Sequence, residues 1–313
     1  MLHLRLITPA DRTDAVVRLI ERAVGTAHLV VLPGAARDPE GDVVTVDVAR
    51  EAVDGLVDAL RDSGLAERGV ITAENIGLTL SEYADRAEKE APGEAADAVV
   101  WEQLAEATQE ESTLSVTYVA FITLATMIAA CGVVLDNAIL IVGAMAVGPE
   151  FGPLAGICTA LVRRAPRPAL RSLTALLVGF AGAMLVTAGF SLVMDAAGLF
   201  SEAQLDADRP NTGFIYAPDR FSFVVALLAG AAGMLSLTSA KSGALVGVAI
   251  SVTTVPAAAN AAVALVYADV HQARLSTEQL LLNLFAILLA GTLTLLVQKA
   301  LWATRRSRMT KRR

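Results

Sequence analysis

The stretch GAMAVGPEFGPLAG (residues 143–156) puts Glu150 between Pro149 and Pro153 in the most apolar part of the chain. An acidic side chain at the centre of a membrane-spanning helix costs about 2.5–3.5 kcal/mol, so one found there is rarely incidental. Proline has no N–H, so Pro149 and Pro153 free carbonyls one turn back, at Met145 and Pro149. A carboxylate beside freed carbonyls has the chemistry of a cation or proton site. The second half of the chain answers with hydroxyls: in GALVGVAISVTTVP (243–256), Thr253 and Thr254 precede Pro256, and Asn260 follows. The expected substrate- or ion-binding set is therefore Glu150, Pro149, Pro153, Thr253, Thr254, Pro256 and Asn260. Two plainer readings stand beside it. A displaced or broken span would leave Glu150 in a water-filled vestibule, or Glu150 pairs with Lys241 or an arginine for structure alone.

These residues need elements to hold them, and composition says which kind. Mean hydropathy is +0.56, and 55% of the 313 residues are apolar, which points to a membrane protein. Charge is unevenly spread. Residues 1–112 carry 23 acidic and 10 basic side chains, while residues 113–313 carry 9 and 15. The pattern is an acidic soluble piece (1–112) joined to a membrane piece with basic ends. No secretory signal opens the chain, so the N-terminal part is expected in the cytoplasm. Cys131 and Cys158 lie in apolar segments, away from any ligand-like cluster, and read as small buried hydrophobes.

The first 76 residues switch between two periodicities. LHLRLI (2–7) alternates as a strand, and ADRTDAVVRLIERAV (10–24) gathers apolar residues on one helical face. A strand at 27–32, a turn built from Pro33, Gly34, Asp38, Pro39 and Gly41, a strand at 42–48, a helix at 50–64 and a strand at 69–75 follow. The order βαββαβ is that of a ferredoxin-like α+β domain. His3 and His28 sit on strands with no second ligand nearby in sequence. Residues 77–112 read as an acidic linker, interrupted by Pro92-Gly93, leading to a juxtamembrane helix at 98–111.

Residues 113–304 hold six candidate spans: 114–134, 137–162, 170–194, 221–239, 242–267 and 279–302. Excess Lys and Arg marks cytoplasmic loops. RRAPRPALR (163–171), Lys241 and the basic tail RRSRMTKRR (305–313) then all fall inside, together with the N-terminus. The expected place is the inner, plasma membrane, multi-pass, with both termini cytoplasmic. Asp136-Asn137 reads as the turn between spans one and two, and Asn260 and Asn283 as interhelical hydrogen-bonding groups. The polar loop after span three reads as a connection, with an external cap as the bolder option.

Spans one to three and four to six look alike. Each half opens on a small-residue span, turns sharply and enters a long span containing proline. Gly148, Gly152 and Gly156 recur every four residues in span two, as do Gly243 and Gly247 in span five. Such stripes let helices approach closely in lipid. Three spans per half make the repeat inverted in topology, an arrangement that places sites near the midplane on discontinuous helices.

The stretch GVVLDNAILIVGAMAVGPEFGPLAGICTALVRR (132–164), with PDRFSFVVALLAGAAGM (218–234), SGALVGVAISVTTVP (242–256) and Asn283, resembles the hydrophobic membrane proteins grouped as domain of unknown function family number 389. The resemblance implies a multi-pass membrane protein with a cytoplasmic N-terminal domain, and no substrate. The chain departs from the family's pattern at Glu150-Phe151, where apolar residues are usual, and at the single Pro256, where paired prolines are.

Catalysis finds no support. The chain has no H-E-x-x-H, no G-x-S-x-G and no Walker lysine motif. The sequence thus predicts an α-helical multi-pass protein with a 3+3 inverted repeat and a ferredoxin-like cytoplasmic domain. It is expected to be no enzyme and to need no cofactor or metal. Its partners are the lipid bilayer, a small ion or solute and further copies of itself, with no nucleic acid. The leading function is a transporter or channel-like protein. The alternative is a non-transporting receptor or scaffold whose cytoplasmic domain binds a ligand or partner.

Overall fold

The computed structural model describes residues 1–91, 98–216, 220–239 and 253–310, with side chains as far as residue 301. Pro92, Gly93, Pro218, Asp219, Lys241, Gly243, Gly247, Ser251 and the end of the basic tail lie outside the described residues. The chain forms two compact units, residues 1–103 with 300–313, and residues 104–299.

In the first unit, β1 (Leu2–Thr8), β2 (Thr26–Arg37), β3 (Glu40–Val48) and β4 (Val70–Asn75) form an antiparallel sheet in the order β2-β3-β1-β4. Alternation decides which side is covered. Leu2, Leu4 and Leu6 of β1 and Val44, Val46 and Val48 of β3 point into one core. That core is completed by Val16 and Ile20 of α1 (Thr13–Arg22) and by Leu56 and Leu60 of α2 (Val53–Asp62). A short α3 (Leu65–Arg68) precedes β4.

Three local expectations change. The turn expected across 33–41 is narrower, because β2 runs on to Arg37 through an irregular register between Leu32 and Ala36. The charged stretch after residue 81 forms α4 (Glu82–Glu90), capped by Ser81, with Ala84 and Ala87 buried. His3 and His28, far apart in sequence, meet on Asp47 at 2.6 and 2.7 Å, and His28 also bonds Ser81 at 2.7 Å. Burial works against the Asp47 carboxylate, but the hydrogen bonds from His28 and His3 hold it below its usual range.

The second unit takes in the end of α5 (Trp101–Glu111) and continues through α6 (Val116–Val134), α7 (Ala138–Val147), α8 (Phe151–Arg163), α9 (Pro166–Ala196), α10 (Glu202–Asp206), α11 (Arg220–Thr238), α12 (Thr254–Val266) and α13 (Val270–Thr310) as far as Lys299. Among the described residues, α6, α9, α11 and residues 270–301 of α13 are each long and apolar enough to cross a membrane. The pair α7 and α8, bent by 50° at its break, makes a fifth span if counted as one. This is a membrane protein. Of the expected span 242–267, the described part is α12, whose 13 residues rise only about 20 Å.

Candidate functional site

The break between α7 and α8 follows from the sequence. Asn137 caps α7 by accepting from the backbone N–H of Ile139 and Leu140, and Gly148 ends it. Pro149 has no N–H to continue the ladder, so the chain turns and restarts at Phe151, with Glu150 as the N-cap residue. An N-cap side chain normally accepts from the second or third amide of its helix. Here the third residue is Pro153, and Glu150 makes no such bond. Its carboxylate turns elsewhere.

Its partner is the start of another half-length helix. Thr254 Oγ1 donates to Glu150 Oε1 at 2.7 Å, and Thr254 is the first residue of α12. The two helices are alike. Each has 13 residues, each carries proline third (Pro153 and Pro256), and each is buried along most of its length. Glu150 is only 4% exposed, and its Oε2 has no hydrogen-bond partner among the described residues. A Cβ built on Gly148 would collide with that Oε2 and come 2.9 Å from the Val255 methyl, so only glycine allows this approach.

A run of buried polar groups leads away from Thr254 along the seam of α12 and α13. Thr253 Oγ1 accepts from Asn283 Nδ2 at 3.0 Å, and Asn283 Oδ1 accepts from Gln279 Nε2 at 3.3 Å. Toward the other end of α12, Asn260 donates to Ser276 Oγ at 2.6 Å and accepts from Arg209 Nη1 at 2.9 Å. Arg209, on the loop after α10, is 3% exposed and stacks over the Tyr216 ring at 4.5 Å. Turning the Gln272 amide over satisfies it best, with its oxygen on Arg209 Nη2 and its nitrogen 3.1 Å from Asp269 Oδ2. Gln272, Ser276, Gln279 and Asn283 are all buried and recur at helical spacing.

The expected residues therefore divide. Glu150, Thr254 and Gly148 touch, while the neighbouring Thr253 bonds Asn283 instead. Pro149 sits in the break, and Pro153 and Pro256 in the first turns. Asn260 belongs to the Arg209 cluster. Gly152 and Gly156 make close contacts with Glu111 and Ser112 respectively. Gly243 and Gly247 fall outside the described residues. Sequence reading missed Arg209, Gln272, Ser276 and Gln279. The stripe 272/276/279/283 was a visible signal; the burial of a loop arginine was not.

The two ends of this unit are held differently. At one end the turn after α6 is clasped by the loop: Thr212 Oγ1 and the Asn211 side-chain amide both donate to Asp136 at 2.9 Å. Tyr267 donates to Asp195 there at 3.0 Å. At the other end Arg171 donates to Thr113 at 2.8 Å, and Lys299 to the Val162 carbonyl at 3.2 Å.

Residues 145–289 match the family model described as domain of unknown function (DUF389). That span runs from the last turn of α7 into α13, so it contains Glu150, Thr254, Asn260 and Asn283. It bears out the resemblance carried by the GPEFGP segment and its counterpart. No curated protein and no solved structure matches the chain.

Proposed function

We propose that this is a membrane transporter or channel-like protein for an ion or small polar solute, with its site where α8 and α12 begin. The observation that carries the reading is the bond between Glu150 and Thr254 at the start of two half-length helices. Glu150 follows the 10 residues of α7 and Thr254 opens the 13 residues of α12, so both fall well inside apolar segments, where a carboxylate with a bare oxygen is costly unless it has a task. Broken helices with polar groups at matched depth are the usual form of a transport site.

Three further points support the same picture. The likeness of α8 and α12, each followed closely by a long helix, supports a 3+3 inverted repeat in which α12 belongs to the fifth of six spans. The acidic clasp end opposes the arginine-rich link at 163–171, which favours cytoplasmic termini in a plasma membrane. The strand order β2-β3-β1-β4 with two intervening helices supports a ferredoxin-like cytoplasmic domain that regulates or assembles the protein. Glycine contacts such as Gly230 against the Ile287 backbone already serve helix packing inside one chain. Self-association therefore rests on the lipid-facing surface. No catalytic step and no nucleic acid enters this reading.

The scaffold alternative has its own support in the dense packing of α12, whose residues Thr254–Ala264 are all buried. Substituted-cysteine labelling separates the two. In a background lacking Cys131 and Cys158, a transporter exposes a cysteine at 150 or 254 to a water-borne thiol reagent in at least one state. A scaffold leaves both unmodified under every condition in which exposed Asn211→Cys reacts fully.

A further inference from the structure

Building on the transport reading, we propose that the ion taken by Glu150 is a proton and not a metal cation. The argument is one of space and donors. Oε1 is occupied by the Thr254 hydroxyl. Oε2 lies against the Gly148 backbone and finds no hydrogen-bond partner among the described residues. A metal such as calcium gathers six to eight oxygens at about 2.3–2.6 Å, and no group of three or more acidic, histidine or cysteine side chains suited to a metal exists among the described residues. A proton asks for one oxygen and no coordination shell. It also removes the charge where that charge has no partner.

The groups around Glu150 agree. From α6, Tyr118 comes within electrostatic range, and its buried hydroxyl has no partner among the described residues. From the end of α5, Glu111 lies beside Gly152. From α11, the neighbour is Gly233, packed on the Phe151 ring. From α12 come Thr254 and Val255. None of these is a cation, and no Lys, Arg or His forms an ion pair with Glu150 among the described residues. Release of the proton transfers it from Oε2 to a water molecule entering the break and leaves a carboxylate. The first two amides of α8 and of α12, unpaired at any helix start, can then face that charge. The third amide is missing in both, because both third residues are proline. The Gly148 contact must open for this to happen, which ties proton release to separation of the two half-helices.

Infrared difference spectroscopy of the full chain in nanodiscs tests the assignment. At neutral pH the wild type should show a C=O stretch of a protonated carboxyl that moves on deuteration and is lost in Glu150→Gln. Thr254→Val removes the hydrogen bond to Oε1 and should move the band to higher frequency, a readout that survives if Glu150→Gln fails to fold. Sodium, potassium or calcium added at fixed pH should leave the band in place. A band that no Glu150 or Thr254 variant changes overturns the proposal, as does one that any of these cations converts to a carboxylate signal. Flux that needs Glu150 without the band defeats the proton assignment alone. A Glu150 band in a protein that moves nothing across liposomes defeats the transport reading and leaves the proton in place.

Discussion

At the scale of residues, the account rests on two contacts of Glu150, one with Thr254 and one with Gly148, and each can be broken singly. Thr254→Val leaves Glu150 Oε1 buried without a donor, which costs about 1–3 kcal/mol; the unfolding midpoint of the purified protein should fall accordingly. Gly148→Ala forces a methyl group against Oε2 and the Val255 methyl, an overpacking of about 1–3 kcal/mol. The double change Gly148→Ala with Glu150→Ala makes room for that methyl, so its cost should be less than the sum of the two single changes. Additive costs would mean that Gly148 and Glu150 do not touch. Glu150 and Thr254 were legible in the sequence because proline marks the places where a helix must stop and restart. Arg209 was not legible. Its burial depends on a loop folding back onto Asn260 and Gln272, and no local pattern of residues encodes that return.

At the scale of elements, helix starts and clasps carry the shape. Asn137 caps α7 with two accepted hydrogen bonds, and Asn137→Ala should cost about 1 kcal/mol, read as a lower unfolding midpoint. The neighbouring Asp136 gives a pH signature. Burial raises its carboxyl, but hydrogen bonds from Thr212 and Asn211 outweigh this and hold it below the usual range. A lowered folded-state value means the clasp contributes fully above the unfolded value of about 3.9. The contribution is lost as pH falls through the lower folded value. The stability gap between wild type and Asp136→Asn should therefore be constant near neutrality and close in acid; a gap that widens in acid would contradict the clasp. Runs of apolar residues made α6, the α7–α8 pair and α9 readable to within four residues at each end. The turn at 33–41 was misjudged because Pro33 and Gly34 mark a bulge as readily as a turn, and only pairing with β3 decides. His3 and His28 looked isolated for a related reason: strand register, not sequence distance, brings them to Asp47.

At the scale of the whole molecule, two halves of opposite charge balance, an acidic α+β unit and an apolar helical unit, predict an orientation. Arg167→Cys should be labelled from the cytoplasmic face and Asn211→Cys from the opposite face, in a background without Cys131 and Cys158; labelling of both from one face would overturn the six-span topology. Composition alone announced the membrane, and the match over residues 145–289 covers the part where the two half-helices meet. What composition could not announce was that the polar stripe of α13 meets the start of α12 through Asn283 and Thr253, since a stripe of amides in an apolar helix gains partners only when a second helix covers it. The measurement that tests the central claim most directly is ion flux into proteoliposomes, with pH, sodium, potassium and chloride followed in parallel for wild type and Glu150→Gln. The account predicts a flux above empty liposomes for the wild type and its loss in Glu150→Gln. A Glu150→Gln protein that keeps the full wild-type flux, or a folded wild type that moves none of these ions, would contradict it.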